Sequence, residues 1–177
     1  MIYEKGLIKA MKDEYRAGGY SVADDGNGRL WIVADTWFAG ILKQSVSNDV
    51  KSVIVLHFGR MPEENSAMNV KRGEEPNAEL MDNVLAVPDM LISAETDGKF
   101  RVTPVRIGDR VMFQNDLFTV RLARETDVLP MRFISLAELV NGWLTQDDGE
   151  SFIGALSCHG FDDEAGKIAL LEQMDWR

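Results

Sequence analysis

The chain has a single cysteine, Cys158, in 177 residues. One thiol excludes an intrachain disulfide framework and any zinc site built from several cysteines. Long apolar runs are also missing. Stretches such as Val53-Ile54-Val55-Leu56 fall far short of the roughly 18 residues that a membrane-spanning helix needs. At the N-terminus, Glu4, Lys5, Lys9 and Lys12 interrupt any apolar segment. No secretory signal is therefore read there, and a cytoplasmic location is expected with no membrane partner. Positive charge is scarce as well: 19 Lys and Arg stand against 29 Asp and Glu, a net charge of -10. That balance opposes non-specific attraction to nucleic acid or to anionic lipid. With 45% apolar and 27% charged residues, the composition is that of an ordinary globular protein and excludes low-complexity and wholly disordered chains.

The charge is uneven along the chain. Residues 1–59 are balanced, with 7 basic and 7 acidic groups, whereas residues 60–98 carry 3 against 9. Residues 99–134 then hold 7 basic groups against 4 acidic, and residues 135–177 hold 2 against 9. A basic block between acidic ones suits a charged partner protein or simple solubility.

Hydrophobic spacing gives the coarse elements. Leu7, Ile8, Met11 and Tyr15 form a helical stripe in residues 2–16, closed by Gly18-Gly19. Two apolar runs, 20–23 and 29–34, bracket Asp24-Asp25-Gly26-Asn27-Gly28 and predict a hairpin. Asp35 or Thr36 is placed to cap a short helix through Trp37, Phe38, Ile41 and Leu42. The β-branched run from Val50 to Phe58 reads as a buried central strand, with a helix as the alternative. Residues 60–77 lack periodicity and are expected to form an exposed excursion. A helical turn or two follows at 78–85. Met90-Leu91-Ile92 and Phe100–Val105 predict a second hairpin, in which Pro104 marks an edge or bulge. Strands are then expected at 110–113 and 117–122. Ser135 and Glu138 form a capping-box pattern ahead of a helix at 136–144. Residues 152–156 fit strand or helix, and a last helix is expected over 162–174. This irregular alternation predicts an α+β fold, an antiparallel sheet of hairpins and a meander with several packed helices. One domain over 1–177 is expected, with two lobes at about 1–88 and 89–177 as the alternative.

The chemistry-bearing residues are few. Cys158-His159 pairs a thiol with a base. As neighbours in a strand the two would face opposite ways, so a working dyad would join Cys158 to His57 and an acid such as Asp35. His57 ends an apolar run, where a general base could emerge at a cleft. Cys158, His57 and His159 are thus the catalytic candidates, each set against a purely structural role. Acidic clusters at 24–28, 147–150 and 162–164 offer oxygen ligands, but none has a calcium-loop register. No glycine-rich phosphate cradle is present, and neither a metal nor a cofactor is expected.

Trp31, Trp37 and Trp143 are expected in the core, whereas Trp176 serves as an anchor near the C-terminus or as a partner contact. The leading expectation is a small acidic protein-binding module, an inhibitor or immunity-type protein that occupies a basic groove of its target. Its contacts would be Glu63, Glu64, Glu74 and Glu75, with Arg101, Arg121 and Trp176. The alternatives are a small hydrolase or transferase using Cys158 or His57, and a nucleic-acid accessory protein using the basic block 99–132.

Overall fold

The computed structural model describes residues 2–95, 99–107, 110–116, 119–122 and 137–159. Helix α1 (Glu4–Arg16) buries Leu7, Ala10 and Met11 on one stripe. The Gly19 amide donates back to the Glu14 carbonyl (2.8 Å) and turns the chain into the sheet. Strands β1 (Tyr20–Asp24) and β2 (Arg29–Val33) form the expected hairpin, with Val22 opposite Ile32. In its turn the Asp25 carboxylate accepts the Asn27 and Arg29 amides at 2.8 and 3.1 Å.

The next two elements exchange the expected types. Residues Trp37–Leu42 form β3, not a helix, paired with β2. Residues Asn48–Phe58 form helix α2, not a strand. The reason is burial. Both faces of β3 are covered, so its apolar residues show no period of two. In α2 the buried residues are Val50, Val53, Ile54 and Phe58, a helical spacing, while Leu56 is 75% exposed. The Ser47 hydroxyl caps this helix by accepting the Val50 amide (3.2 Å), and Gly59 closes it in the left-handed conformation.

The expected excursion at 60–77 contains β4 (Ser66–Val70), which pairs along the free side of β1 and buries Ala67, Met68 and Val70. The short β5 (Asn77–Glu79) pairs with β4 and ends the sheet. Met90–Ile92 belong to helix α3 (Met81–Ile92) and not to a hairpin strand.

The remaining strands are β6 (Lys99–Ile107), β7 (Arg110–Gln114), β8 (Thr119–Leu122), β9 (Ala137–Val140), β10 (Trp143–Asp147) and β11 (Ser151–His159). Pro104 pairs with β7 beyond the point where β9 ends its pairing at Val102, so its missing N–H breaks no second ladder. The expected helix at 136–144 is instead the β9–β10 hairpin. Its turn residues Asn141 and Gly142 both take positive φ, 48° and 82°, the signature of a two-residue hairpin turn. That Asn-Gly pair outweighs the capping pattern. The expected helix 162–174 and Trp176 lie outside the described residues.

All pairings are antiparallel, in an eleven-stranded order β10-β9-β6-β7-β8-β11-β3-β2-β1-β4-β5. A further β10–β11 pairing closes β11, β8, β7, β6, β9 and β10 into a ring. The result is an α+β architecture with three helices among the described residues, fewer than the sequence pattern suggests. Helices α1 and α2 cover one face of the β1–β4 region over Tyr20, Val22, Ile32 and Met68. Helix α3 covers the other face, where Ala23, Trp31, Phe38, Ala67 and Trp143 gather. No helix among the described residues is long and apolar enough to cross a membrane.

Candidate functional site

The two ends of the β1–β4 pair differ: acidic loops gather at one, and a pocket lined by basic side chains lies at the other. At the C-terminal end of β1, three loops converge. The β1–β2 turn supplies Asp24 and Asp25, the segment before β4 supplies Glu63 and Glu64, and the β10–β11 turn supplies Asp147, Asp148 and Glu150. Hydrogen bonds through the end of β3 join the first and third of these loops. The Lys43 amide donates to the Gly28 carbonyl (2.9 Å), the Leu42 amide to the Glu150 carbonyl (2.9 Å), and the Arg29 guanidinium to the Gly149 carbonyl (3.2 Å).

The cations at this end are engaged locally. Lys43 binds Asp24 at 2.7 Å and Arg60 binds Glu63 at 2.9 Å. The Lys43 ammonium is held above its ordinary pKa by its hydrogen bond to Asp24, helped by the charges of Asp24, Glu64 and Asp25. The carboxylates are also held by their own turns: Asp147 accepts the Gly149 amide (2.8 Å), and Asp148 accepts those of Glu150 and Ser151 (3.1 and 2.7 Å). The rim is therefore a fixed negative surface. Among the described residues no three His, Cys, Asp or Glu side chains gather closely enough to hold a metal ion.

The other end holds a basic pocket, beside Glu74 and Glu75 of the loop after β4. The pocket, of about 540 Å3, is lined by Lys12, Tyr15, Arg16, Leu56, His57 and Arg72. Lys12 and Arg16 sit four residues apart on one face of α1. Arg72 comes from the loop after β4, whose backbone is tied to α1 because the Arg72 amide donates to the Tyr15 carbonyl (2.8 Å).

His57 lies in the last turn of α2. Its ring stacks on Tyr15 with centroids 4.0 Å apart and planes 8° from parallel. Its Nδ1 is 2.8 Å from the Tyr20 hydroxyl. Burial, with a smaller contribution from Tyr15, pushes the Tyr20 phenol above its ordinary range. The phenol therefore keeps its proton and shares a hydrogen bond with Nδ1. Burial, then the charges of Lys12 and Arg16, push the His57 imidazole below its ordinary value. These surroundings favour the neutral imidazole over the imidazolium.

A consequence for stability follows from that depression. The folded protein accepts this proton less readily than the unfolded chain, so the contribution of neutral His57 is complete above the unfolded value of about 6.5. It is lost as pH falls from there through the lower folded value. The urea midpoint of the wild type is expected to drop more between about pH 8 and about pH 5 than that of His57→Gln, whose uncharged amide can still hydrogen-bond Tyr20. Parallel drops in the two proteins would contradict the assignment.

The residues singled out from the sequence are dispersed. His57 neighbours two tyrosines and lies in the basic pocket, whereas Cys158 and His159 stand on β11 opposite Arg121 and Val120 of β8. Glu63 and Glu64 lie before β4 and Glu74 and Glu75 after it, so these four acids are split between the two ends. All four are exposed. Arg101 is exposed on β6, directly opposite Glu138 of β9, which pairs opposite charges across the strands.

Lys12, Arg16 and Arg72 escaped the sequence reading. The spacing of Lys12 and Arg16 was visible there; the approach of Arg72 depends on tertiary structure. Comparison with protein-family models, with curated proteins and with solved structures finds no match to this chain.

Proposed function

We propose that the chain is a non-catalytic protein-binding module whose acidic rim engages a basic surface on a partner protein. The observation that carries this reading is the convergence of three acidic loops from separate parts of the chain at one end of the sheet, with the nearby Lys43 and Arg60 already bound to Asp24 and Glu63. Fixed charges of one sign accelerate encounter with a complementary surface and discriminate against like-charged ones. Because Asp25, Asp147 and Asp148 are held by turns, little ordering entropy opposes binding through them. An inhibitor or immunity-type protein that covers a basic groove fits this arrangement. The cytoplasm is the compartment proposed for it.

Capture from the native cells tests the reading with two baits, the wild type and the variant Glu63→Gln/Glu64→Gln/Glu150→Gln. All three positions are exposed, so the fold is expected to tolerate the changes. A stoichiometric partner with a basic surface, retained by the wild type and lost by the variant, is the expected result. Equal retention by both baits, or an empty wild-type bait, would overturn it.

A further inference from the structure

We infer that the pocket between α1, the end of α2 and the loop after β4 is a binding site for a small phosphorylated organic molecule. It lies at the opposite end of β1 and β4 from the acidic rim and stands independently of the partner-binding reading.

Charge is the first argument. Acidic residues outnumber basic ones 29 to 19 in the whole chain, yet the pocket is lined by Lys12, Arg16 and Arg72 and by no Asp or Glu. Like charges brought together on a folded surface repel, and among the described residues no ion pair compensates Lys12 or Arg72. Only Arg16 is partly offset, by Asp13 at 3.7 Å, which also binds Lys9 at 3.2 Å. Complementing the α1 dipole accounts for Arg16 in its last turn. It does not account for Lys12 a turn earlier, nor for Arg72, which a backbone bond from another loop holds beside them.

Shape and donors narrow the ligand. A volume of about 540 Å3 lies within the range of small-molecule sites. Two guanidinium groups and an ammonium match the several oxygens and double charge of a phosphate monoester better than the single charge of a carboxylate. The His57 ring, fixed by its stack on Tyr15 and its bond to Tyr20, adds a polar ring edge to the lining. Beside these, the Leu56 side chain is 75% exposed and offers an apolar contact for the organic part, which inorganic phosphate lacks.

His57 also reports on the site, because the chain has only two histidines. The experiment titrates the full chain with phenyl phosphate, inorganic phosphate and citrate at matched ionic strength, following the His57 ring signals by NMR. His57→Gln assigns those signals. Phenyl phosphate is expected to give a saturable shift with Kd below about 1 mM and to bind more tightly than inorganic phosphate. In Lys12→Gln/Arg72→Gln, two exposed positions, affinity is expected to fall at least about tenfold with unchanged circular dichroism. Non-saturating drift, equal binding by the double variant, or equal binding of citrate would overturn the site. Equal binding of inorganic phosphate would overturn the organic part of the assignment.

Discussion

Phe38→Ala is expected to lower the stability of the protein by about 3–5 kcal/mol, the range for deleting a fully buried aromatic ring. Phe38 is completely buried at the centre of the α3-side cluster. Its ring centroid lies 5.3 Å from Phe152, 5.7 Å from Trp143 and 6.2 Å from Trp31. The space for these rings is made by missing side chains. Gly154 stands opposite Phe38 in β11, where a Cβ would collide with the Phe38 ring. At Gly40 in β3 a Cβ would lie 2.5 Å from the Trp31 indole. Truncating Phe38 therefore opens a cavity at the junction of β3 and β11, which close-packed neighbours cannot collapse to fill. Urea unfolding measures the loss. A change under about 1 kcal/mol, the level of an ordinary surface substitution, would contradict the packing described.

Gly19→Ala is expected to cost about 2–4 kcal/mol, from two contributions that add. Gly19 has a φ of +88°, which disfavours any Cβ, and that Cβ would lie 2.6 Å from the Val70 carbonyl oxygen. A backbone atom of β4 cannot rotate away as a side chain can. Gly28→Ala separates the contributions, because Gly28 has a φ of +95° but nothing within 4 Å of its virtual Cβ. It is expected to lose only the conformational part, about 1–2 kcal/mol. The two positions also differ in consequence. Displacing β4 at Gly19 loosens the bond from the Arg72 amide to the Tyr15 carbonyl, so Gly19→Ala is expected to weaken phenyl phosphate binding while Gly28→Ala leaves it unchanged.

The parts of the fold legible in the sequence were those with one solvated face. Helix α1 shows its stripe because its other side carries Lys5, Lys9 and Lys12. The β1–β2 turn shows in its Asp, Asn and Gly residues. Strand β3 was read as a helix because α1 and α2 cover one face and α3 the other, which erases the alternation that identifies a strand. Helix α2 was hidden by β-branched residues, although Ser47 and Gly59 mark both of its ends. At 136–144 the sequence carries both a capping pattern beginning at Ser135 and the Asn141-Gly142 turn, and the turn prevails.

The site was less legible than the fold. Two of the acidic clusters, at 24–28 and 147–150, were visible as separate loops. Only the β2–β3–β11 register brings them to one end, with Arg29 reaching Gly149 across 120 positions of sequence. Arg72 reaches the basic pocket through a non-local backbone bond to Tyr15, and His57 through its stack on the same tyrosine. No local pattern encodes that bond.

Partner recognition through the acidic rim is tested by a salt titration of the captured partner. Kd is measured across a salt series for the wild type, for Glu63→Gln/Glu64→Gln/Glu150→Gln and for Lys12→Gln/Arg72→Gln. The rim variant is expected to bind more weakly and with a shallower salt dependence, since screening acts on the charges removed. The pocket variant is expected to match the wild type in both respects. Tight binding that ignores salt, or a loss confined to the pocket variant, would contradict the assignment of partner recognition to the acidic end.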